Sequence, residues 1–168
     1  MMSAHMTRSK GLYGRITSAA RPPRPGSPAF WAWNRITAAN TFIYKRTGGR
    51  LGASFDGAPT LLLHHVGAKS GQERVAPLLY LPDGDALVIV ASWGGSPKNP
   101  AWFHNLKANP ETTVQVGRER RPVTARVADA GERARLWPEL IDLYPAYGDY
   151  QARTGGREIP LVILERRA

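Results

Sequence analysis

The chain has 168 residues, 42% of them hydrophobic, with five tryptophans, no cysteine and a net charge of +10. That length suits one domain with a real core, and the lack of cysteine excludes disulfides and thiolate chemistry. The charge is lopsided: residues 1–55 carry nine Lys and Arg and no acid, whereas the remainder carries fourteen basic and thirteen acidic residues. A near-neutral globular part argues against a nucleic-acid-binding core, which would carry a basic face within the fold.

Residues 1–27, ending in Ala-Arg-Pro-Pro-Arg-Pro-Gly-Ser, read as a basic, Pro-rich and disordered arm, and residues 28–168 as a single domain. No segment approaches the ~20 apolar residues needed to span a bilayer, and the start lacks the apolar stretch of a secretory signal. The expectation is a cytoplasmic protein. Ser27 is placed to cap a helix with Pro28 in its first turn, running to about Arg46 and stopped by Gly48-Gly49. Its Phe30, Trp31, Trp33, Ile36, Phe42, Ile43 and Tyr44 suit packing on the core, a lid over a pocket, or peripheral contact with a membrane surface.

Strands follow at Thr60–Val66, Val75–Leu81 and Ala86–Ala91, the last two joined across Pro82-Asp83-Gly84-Asp85. Leu87-Val88-Ile89-Val90 is apolar throughout, the mark of a strand buried on both faces. Asn99 and Pro100 open a short helix ending near Asn109-Pro110. Thr112–Val116 and Pro122–Val127 make a second hairpin. Asp129 caps a helix that Pro138 should kink or restart, Pro145 restarts it up to Gly155-Gly156, and Ile159–Leu164 is the last strand. Six strands in hairpins with interspersed helices predict an α+β fold built on a small, mostly antiparallel barrel with helices outside.

The sharpest local signal is Gly67-Ala68-Lys69-Ser70-Gly71-Gln72-Glu73-Arg74 between two strands. Its glycines allow a tight bend, its N–H groups can form a concave anion site, and Lys69, Ser70 and Arg74 add donors suited to phosphate or carboxylate. Leu63 and Ala68 occupy the positions where a P-loop needs glycine. His64 and His65 are strand neighbours that point to opposite faces, so no metal site is expected. Gly94-Gly95 marks a place where backbone can approach a ligand. Tyr144, Tyr147 and Tyr150 recur every third residue, which on one helix spreads the rings over an arc of roughly 120°, suited either to a flat ligand or to anchoring the helix.

Taken together, these pieces resemble the deazaflavin-dependent nitroreductase family, oxidoreductases that use coenzyme F420. The matching residues are Gly67-Ala68-Lys69-Ser70-Gly71-x-x-Arg74, Pro77-Leu78-Leu79-Tyr80, Ala91-Ser92-x-Gly94-Gly95-x-Pro97-x-x-Pro100-Ala101-Trp102-x-x-Asn105-Leu106, Ala108-Asn109-Pro110, Tyr144-Pro145-x-Tyr147-x-x-Tyr150-Gln151 and Ile159-Pro160. The resemblance implies a split β-barrel like that of FMN-binding proteins, with possession of a coenzyme site. It implies that Lys69, Ser70 and Arg74 hold the coenzyme's phosphate and oligoglutamate tail, and that Val75, Ala76, Pro77 and Leu78 line the deazaflavin. Ser92, Gly94 and Gly95 would lie near ring or tail, with Trp102 and Asn105 closing that side. Tyr144, Tyr147, Tyr150 and the unusual Trp93 would wall the substrate, and Tyr147 or Ser92 would supply a proton or polarising hydrogen bond.

The implied reaction is hydride transfer from reduced F420 to an electron-poor acceptor, a quinone or nitroaromatic. Pairing into homodimers is common among split barrels. Two rival readings remain at this stage: the same barrel using FMN, and a non-catalytic barrel that binds an anionic ligand or a membrane surface.

Overall fold

In the computed structural model, residues 27–50 and 54–168 are described. Of the arm expected over residues 1–27, all but Ser27 lies outside them. Helix α1 (Pro28–Thr47) is followed by seven strands: β1 (Ser54–Phe55), β2 (Ala58–Val66), β3 (Glu73–Asp83), β4 (Ala86–Val90), β5 (Glu111–Val116), β6 (Glu119–Val127) and β7 (Leu161–Arg166). Between β4 and β5 lie a 3₁₀ turn at Trp93–Gly95 and helix α2 (Ala101–Ala108). Helices α3 (Ala130–Leu143) and α4 (Ala146–Arg153) separate β6 from β7.

The sheet order is β1-β2-β3-β4-β7-β6-β5, and β2 also pairs with β5, which closes six antiparallel strands into a barrel. All six expected strands are present; the two-residue β1 is an addition too short to leave a periodic signal. Strand alternation splits the apolar side chains into two cores. Leu61, Leu63, Leu87, Ile89, Val114, Val123 and Leu164 point inward, where Trp102, Phe103 and Leu106 of α2 join them. Val88, Val90, Leu161 and Ile163 point outward, under Leu136 and Leu140 of α3 and the tyrosines around α4. The run Leu87–Val90 is therefore buried on both faces, as its composition predicts.

Three local expectations are corrected. Helix α3 runs unbroken past Pro138. The loss of one backbone bond is outweighed by burying Leu136 and Leu140, which are 0% and 1% exposed. Asp129 does cap this helix, in a reciprocal capping box with Glu132. Second, Asn99 does not cap α2: Pro100 occupies the cap position without a side-chain bond, and Asn99 Oδ1 accepts from Arg157 instead. Third, the three tyrosines do not share a helix. Tyr144 terminates α3 with extended backbone, φ −143° and ψ 91°, while Tyr147 and Tyr150 belong to α4.

Helix α1 stops at Gly48 and Gly49, both at positive φ. Of its described side chains only Tyr44 is buried. The Tyr44 hydroxyl donates to Thr60 O at 3.0 Å and accepts from Gly117 N at 2.8 Å, tying the helix end to β2 and to the β5–β6 turn.

Candidate functional site

Antiparallel pairing places the ends of β2, β4 and β6 at one end of the barrel together with the starts of β3, β5 and β7. The turn Gly67–Gln72, the segment Ala91–Asn99, helix α2 and the segment Thr154–Pro160 therefore all gather there. The β3–β4 ladder runs only from Tyr80–Ile89 to Asp83–Ala86. Continued in the same register it would set Pro77 against Ser92, but the chain leaves the ladder after Val90. The barrel is thus split: the first half of β3 forms one side of an opening and the Ser92–Gly95 loop begins the other. Pro77 is tolerated in β3 because that edge has no neighbouring strand needing its N–H.

One rim is the cationic turn. Gly67 N donates to Gln72 O at 2.9 Å and Gly71 N to Gly67 O at 2.8 Å, closing a tight bend with Gly71 at φ +65°. Lys69, Ser70 and Arg74 are exposed around it. Asn105, on α2 and only 9% exposed, braces this turn from behind. Its Oδ1 accepts from Ala68 N at 2.9 Å, and its Nδ2 lies 3.0 Å from His65 Nδ1. With Asn105 donating, His65 must be the neutral tautomer with its proton on Nε2. Burial holds its pKa below the ordinary histidine value, and Arg74 and His64 push the same way. His64 sits on the opposite face, as strand alternation requires. Among the described residues no cluster of three or more His, Asp or Glu could hold a metal ion.

The other rim is the Ser92–Gly95 loop. Ser92 has right-handed backbone (φ −74°, ψ −40°) and Trp93, Gly94 and Gly95 follow with φ of 42°, 61° and 79°. A right-handed residue followed by a left-handed one turns successive N–H groups into a concave anion-binding surface. Positive φ is natural for glycine but uncommon for tryptophan, where it stores strain on the order of 1–3 kcal/mol. Gly95 is needed for a second reason: a Cβ there would lie 2.7 Å from Tyr150 O and 3.0 Å from Tyr150 Cα, so the loop rests directly on the backbone of α4.

Arg157 locks this loop from behind. Its guanidinium donates to Ala91 O at 3.3 Å, Ser92 O at 3.1 Å, Ser96 O at 2.7 and 3.1 Å, and Asn99 Oδ1 at 2.6 Å. Sequence reasoning missed this residue, because a single Arg after Gly155-Gly156 has no motif or period around it.

The remaining candidates divide. Along Val75–Leu78, Ala76 and Leu78 turn into the barrel core and Val75 and Pro77 face the other way. Trp102 is 8% exposed and packs inside the barrel, edge-on to Phe103. Tyr144, Tyr147 and Tyr150 form a mutually packed trio with ring centroids 5.1 to 6.3 Å apart, on the outer core beneath the loop. Burial raises the pKa of Tyr147 far above the ordinary phenol value, with Tyr144 and Tyr150 adding to it, so its hydroxyl holds its proton.

A split opening with a cationic turn on one rim and an anion-favouring backbone loop on the other fits a flat coenzyme with an anionic tail. The comparisons agree. The family described as F420H(2)-dependent quinone reductase matches residues 34–166. The chain is similar to the F420H(2)-dependent quinone reductase Rv1261c of Mycobacterium tuberculosis, 48% identical over 130 residues, covering 74% of this chain and 86% of that one. Among solved structures it is similar to an F420-H2 dependent reductase, FDR-A, with a TM-score of 0.59 at 42% identity over 64% of this chain and 94% of that one. A second structure, titled a domain-swapped dimer, has a TM-score of 0.62 at 36% identity over 83% and 100% of the two chains. The chain belongs to the F420H(2)-dependent quinone reductase family: it is a split-barrel oxidoreductase whose cofactor is coenzyme F420.

Proposed function

We propose that this chain reduces quinones at the split between β3 and the Ser92–Gly95 loop, with nitroaromatics as a further acceptor class. The observation that carries the site is the interrupted β3–β4 ladder, with charged donors on one rim and a left-handed backbone loop on the other. The bound coenzyme supplies the hydride. Lys69, Ser70 and Arg74 grip its phosphate and acidic tail from an exposed turn, where long side chains follow a flexible polyanion. Val75 and Pro77 offer the ring an apolar strand face. Ser92 is 9% exposed at the start of the loop, where its hydroxyl donates a hydrogen bond to the acceptor oxygen. Tyr147 holds the shape of the acceptor side and keeps its proton, so the proton that completes the reduction comes through Ser92 from solvent.

Titrating the protein with oxidised F420 while following tryptophan fluorescence tests the site. Replacing both Lys69 and Arg74 with alanine removes two charge-assisted contacts, about 3 kcal/mol in all, and should weaken binding about a hundredfold. Binding that ignores the double substitution, or equal binding of FMN, would sink the assignment.

Two coarser features support further partners. The kinship to a domain-swapped dimer supports a homodimer, checked by light scattering on the purified chain. On α1, Trp31, Ile36 and Phe42 are more than 60% exposed beside Arg35, Lys45 and Arg46, a composition that suits the surface of an anionic membrane holding a quinone. Among the described residues no helix is long and apolar enough to cross one. Co-sedimentation with anionic vesicles should fall when Ile36 and Phe42 become serine.

A further inference from the structure

We infer that Arg157 is a positioning residue for the reductase: it holds the Ser92–Gly95 loop in its strained left-handed shape and aims that loop's backbone donors into the split. The inference rests on the site proposed above and adds to it a residue outside the split.

Arg157 is set by its own backbone before it sets the loop. It follows Gly155 and Gly156, at φ of 73° and 101°, which turn the chain back toward the barrel end. Its carbonyl accepts from Thr154 Oγ1 at 2.7 Å and Gln151 Nε2 at 2.8 Å, and Thr154 is 1% exposed. The guanidinium then takes three main-chain carbonyls and the Asn99 side chain. Among the described residues it forms no ion pair with a carboxylate, so within the protein its charge faces carbonyl and amide dipoles.

Two consequences follow from that geometry. A peptide unit is a rigid dipole, so drawing the Ala91 and Ser92 carbonyls toward Arg157 sends the N–H groups of Ser92 and Trp93 the other way. An uncancelled cation behind those dipoles reinforces the positive potential in front of them, where an electron-rich oxygen is to be held. Second, Trp93 at φ 42° is disfavoured by its own side chain. The grip on the carbonyls before and after it opposes relaxation to right-handed backbone, which would swing both the indole and the Ser92 hydroxyl. Only an arginine fork spans several carbonyls at once; a lysine offers a single point of charge.

The test compares Arg157→Ala, Arg157→Lys and Asn99→Ala, the last two serving if the alanine variant does not fold. Backbone amide exchange at Gly95 and Ser96, whose N–H groups bond Ser92 O and Trp93 O at 3.0 and 3.1 Å, should quicken at least about tenfold. Exchange in β4 and β7 should stay unchanged. Quinone kcat/KM should fall about tenfold in Arg157→Ala, while coenzyme Kd moves less than about threefold because the tail is held by the separate turn. In a Trp93→Asn background the same Arg157 substitution should cost less in both readouts, since asparagine adopts left-handed backbone more readily. Unchanged loop exchange, exchange that rises equally throughout the protein, or unchanged quinone kinetics would each overturn the inference. Failure of the site itself has a different signature: the Lys69, Arg74 double variant would then bind coenzyme normally whatever the loop exchange does.

Discussion

The two rims of the split solve opposite problems. The Gly67–Arg74 turn is exposed, is proposed to act through its side chains, and is braced by Asn105. The Ser92–Gly95 loop, proposed to act through its backbone N–H groups and the Ser92 hydroxyl, rests at Gly95 on α4 without room for a Cβ, and is gripped by Arg157 at several carbonyls. A flexible polyanion is held well by mobile charges, because screened electrostatics fall off slowly with small displacements. A ring and an acceptor that must meet at bonding distance need fixed dipoles, whose value depends on not reorganising. On the proposed site, affinity and geometry are thus assigned to separate rims.

Paired glycine substitutions sharpen this contrast most. Gly95 and Gly71 both have positive φ, 79° and 65°. An added methyl at Gly95 strikes the Tyr150 backbone, whereas at Gly71 nothing lies within 4 Å. Gly95→Ala should therefore destabilise by about 3 kcal/mol, combining backbone strain and overpacking, with a matching loss of turnover. Gly71→Ala should cost about 1 kcal/mol from strain alone, with turnover kept. Urea denaturation checks both; equal losses would erase the proposed difference between the rims.

Salt gives a smaller effect. Contacts from exposed Lys69 and Arg74 are screened over a Debye length, so coenzyme Kd should rise roughly fivefold on going from about 0.05 to 0.5 M salt. In the Lys69, Arg74 double variant that dependence should flatten. Replacing Arg157 should leave the salt slope as it is in the parent protein, since its contacts are sheltered hydrogen bonds behind the loop.

What the sequence disclosed follows the same division. The cationic turn was legible because its chemistry is local: glycines, hydroxyl and charges stand within eight residues. The barrel was legible because strand alternation and turn residues are local too, and Leu87–Val90 announced a strand covered on both sides. The clamp was not, and Asn105 was marked by the family resemblance without its bracing contact. Asn105 reaches back 37 residues to Ala68, and Arg157 reaches back more than 60 to the loop, separations that no window or period records. The tyrosine spacing is helical on paper, but the restart at Pro145, itself legible in the sequence, ends one helix and begins another between Tyr144 and Tyr147. Trp93 stood out as bulky, but only the folded chain reveals that it is left-handed.

The smallest predicted effect tests how the cationic rim is braced. Asn105 Oδ1 is committed to Ala68 N–H, so only its Nδ2 remains for His65, and that bond requires an unprotonated Nδ1. Protonating His65 would set donor against donor. An amide flip cannot repair this, because it would turn the NH₂ group toward Ala68 N–H. Burial, with Arg74 and His64, lowers the folded pKa of His65 below its ordinary 6.5. The stabilisation is therefore complete above about pH 6.5, the unfolded value. It is lost as pH falls below that, while the unfolded chain binds the proton and the fold resists it, until the lowered folded pKa is reached. His64 shifts the same way, chiefly through burial, and then through Arg120 and Lys45 against an opposing Glu73, so stability alone does not separate the two. Amide exchange at Ala68 does, since Asn105, which accepts from Ala68 N–H, bonds His65. On acidification from about pH 7 to 5, exchange at Ala68, corrected for its intrinsic pH dependence, should quicken in the parent protein and in His64→Gln. It should hold steady in His65→Gln, whose side chain cannot gain a charge. A response that persists in His65→Gln would show that the turn is braced by something other than the Asn105–His65 pair.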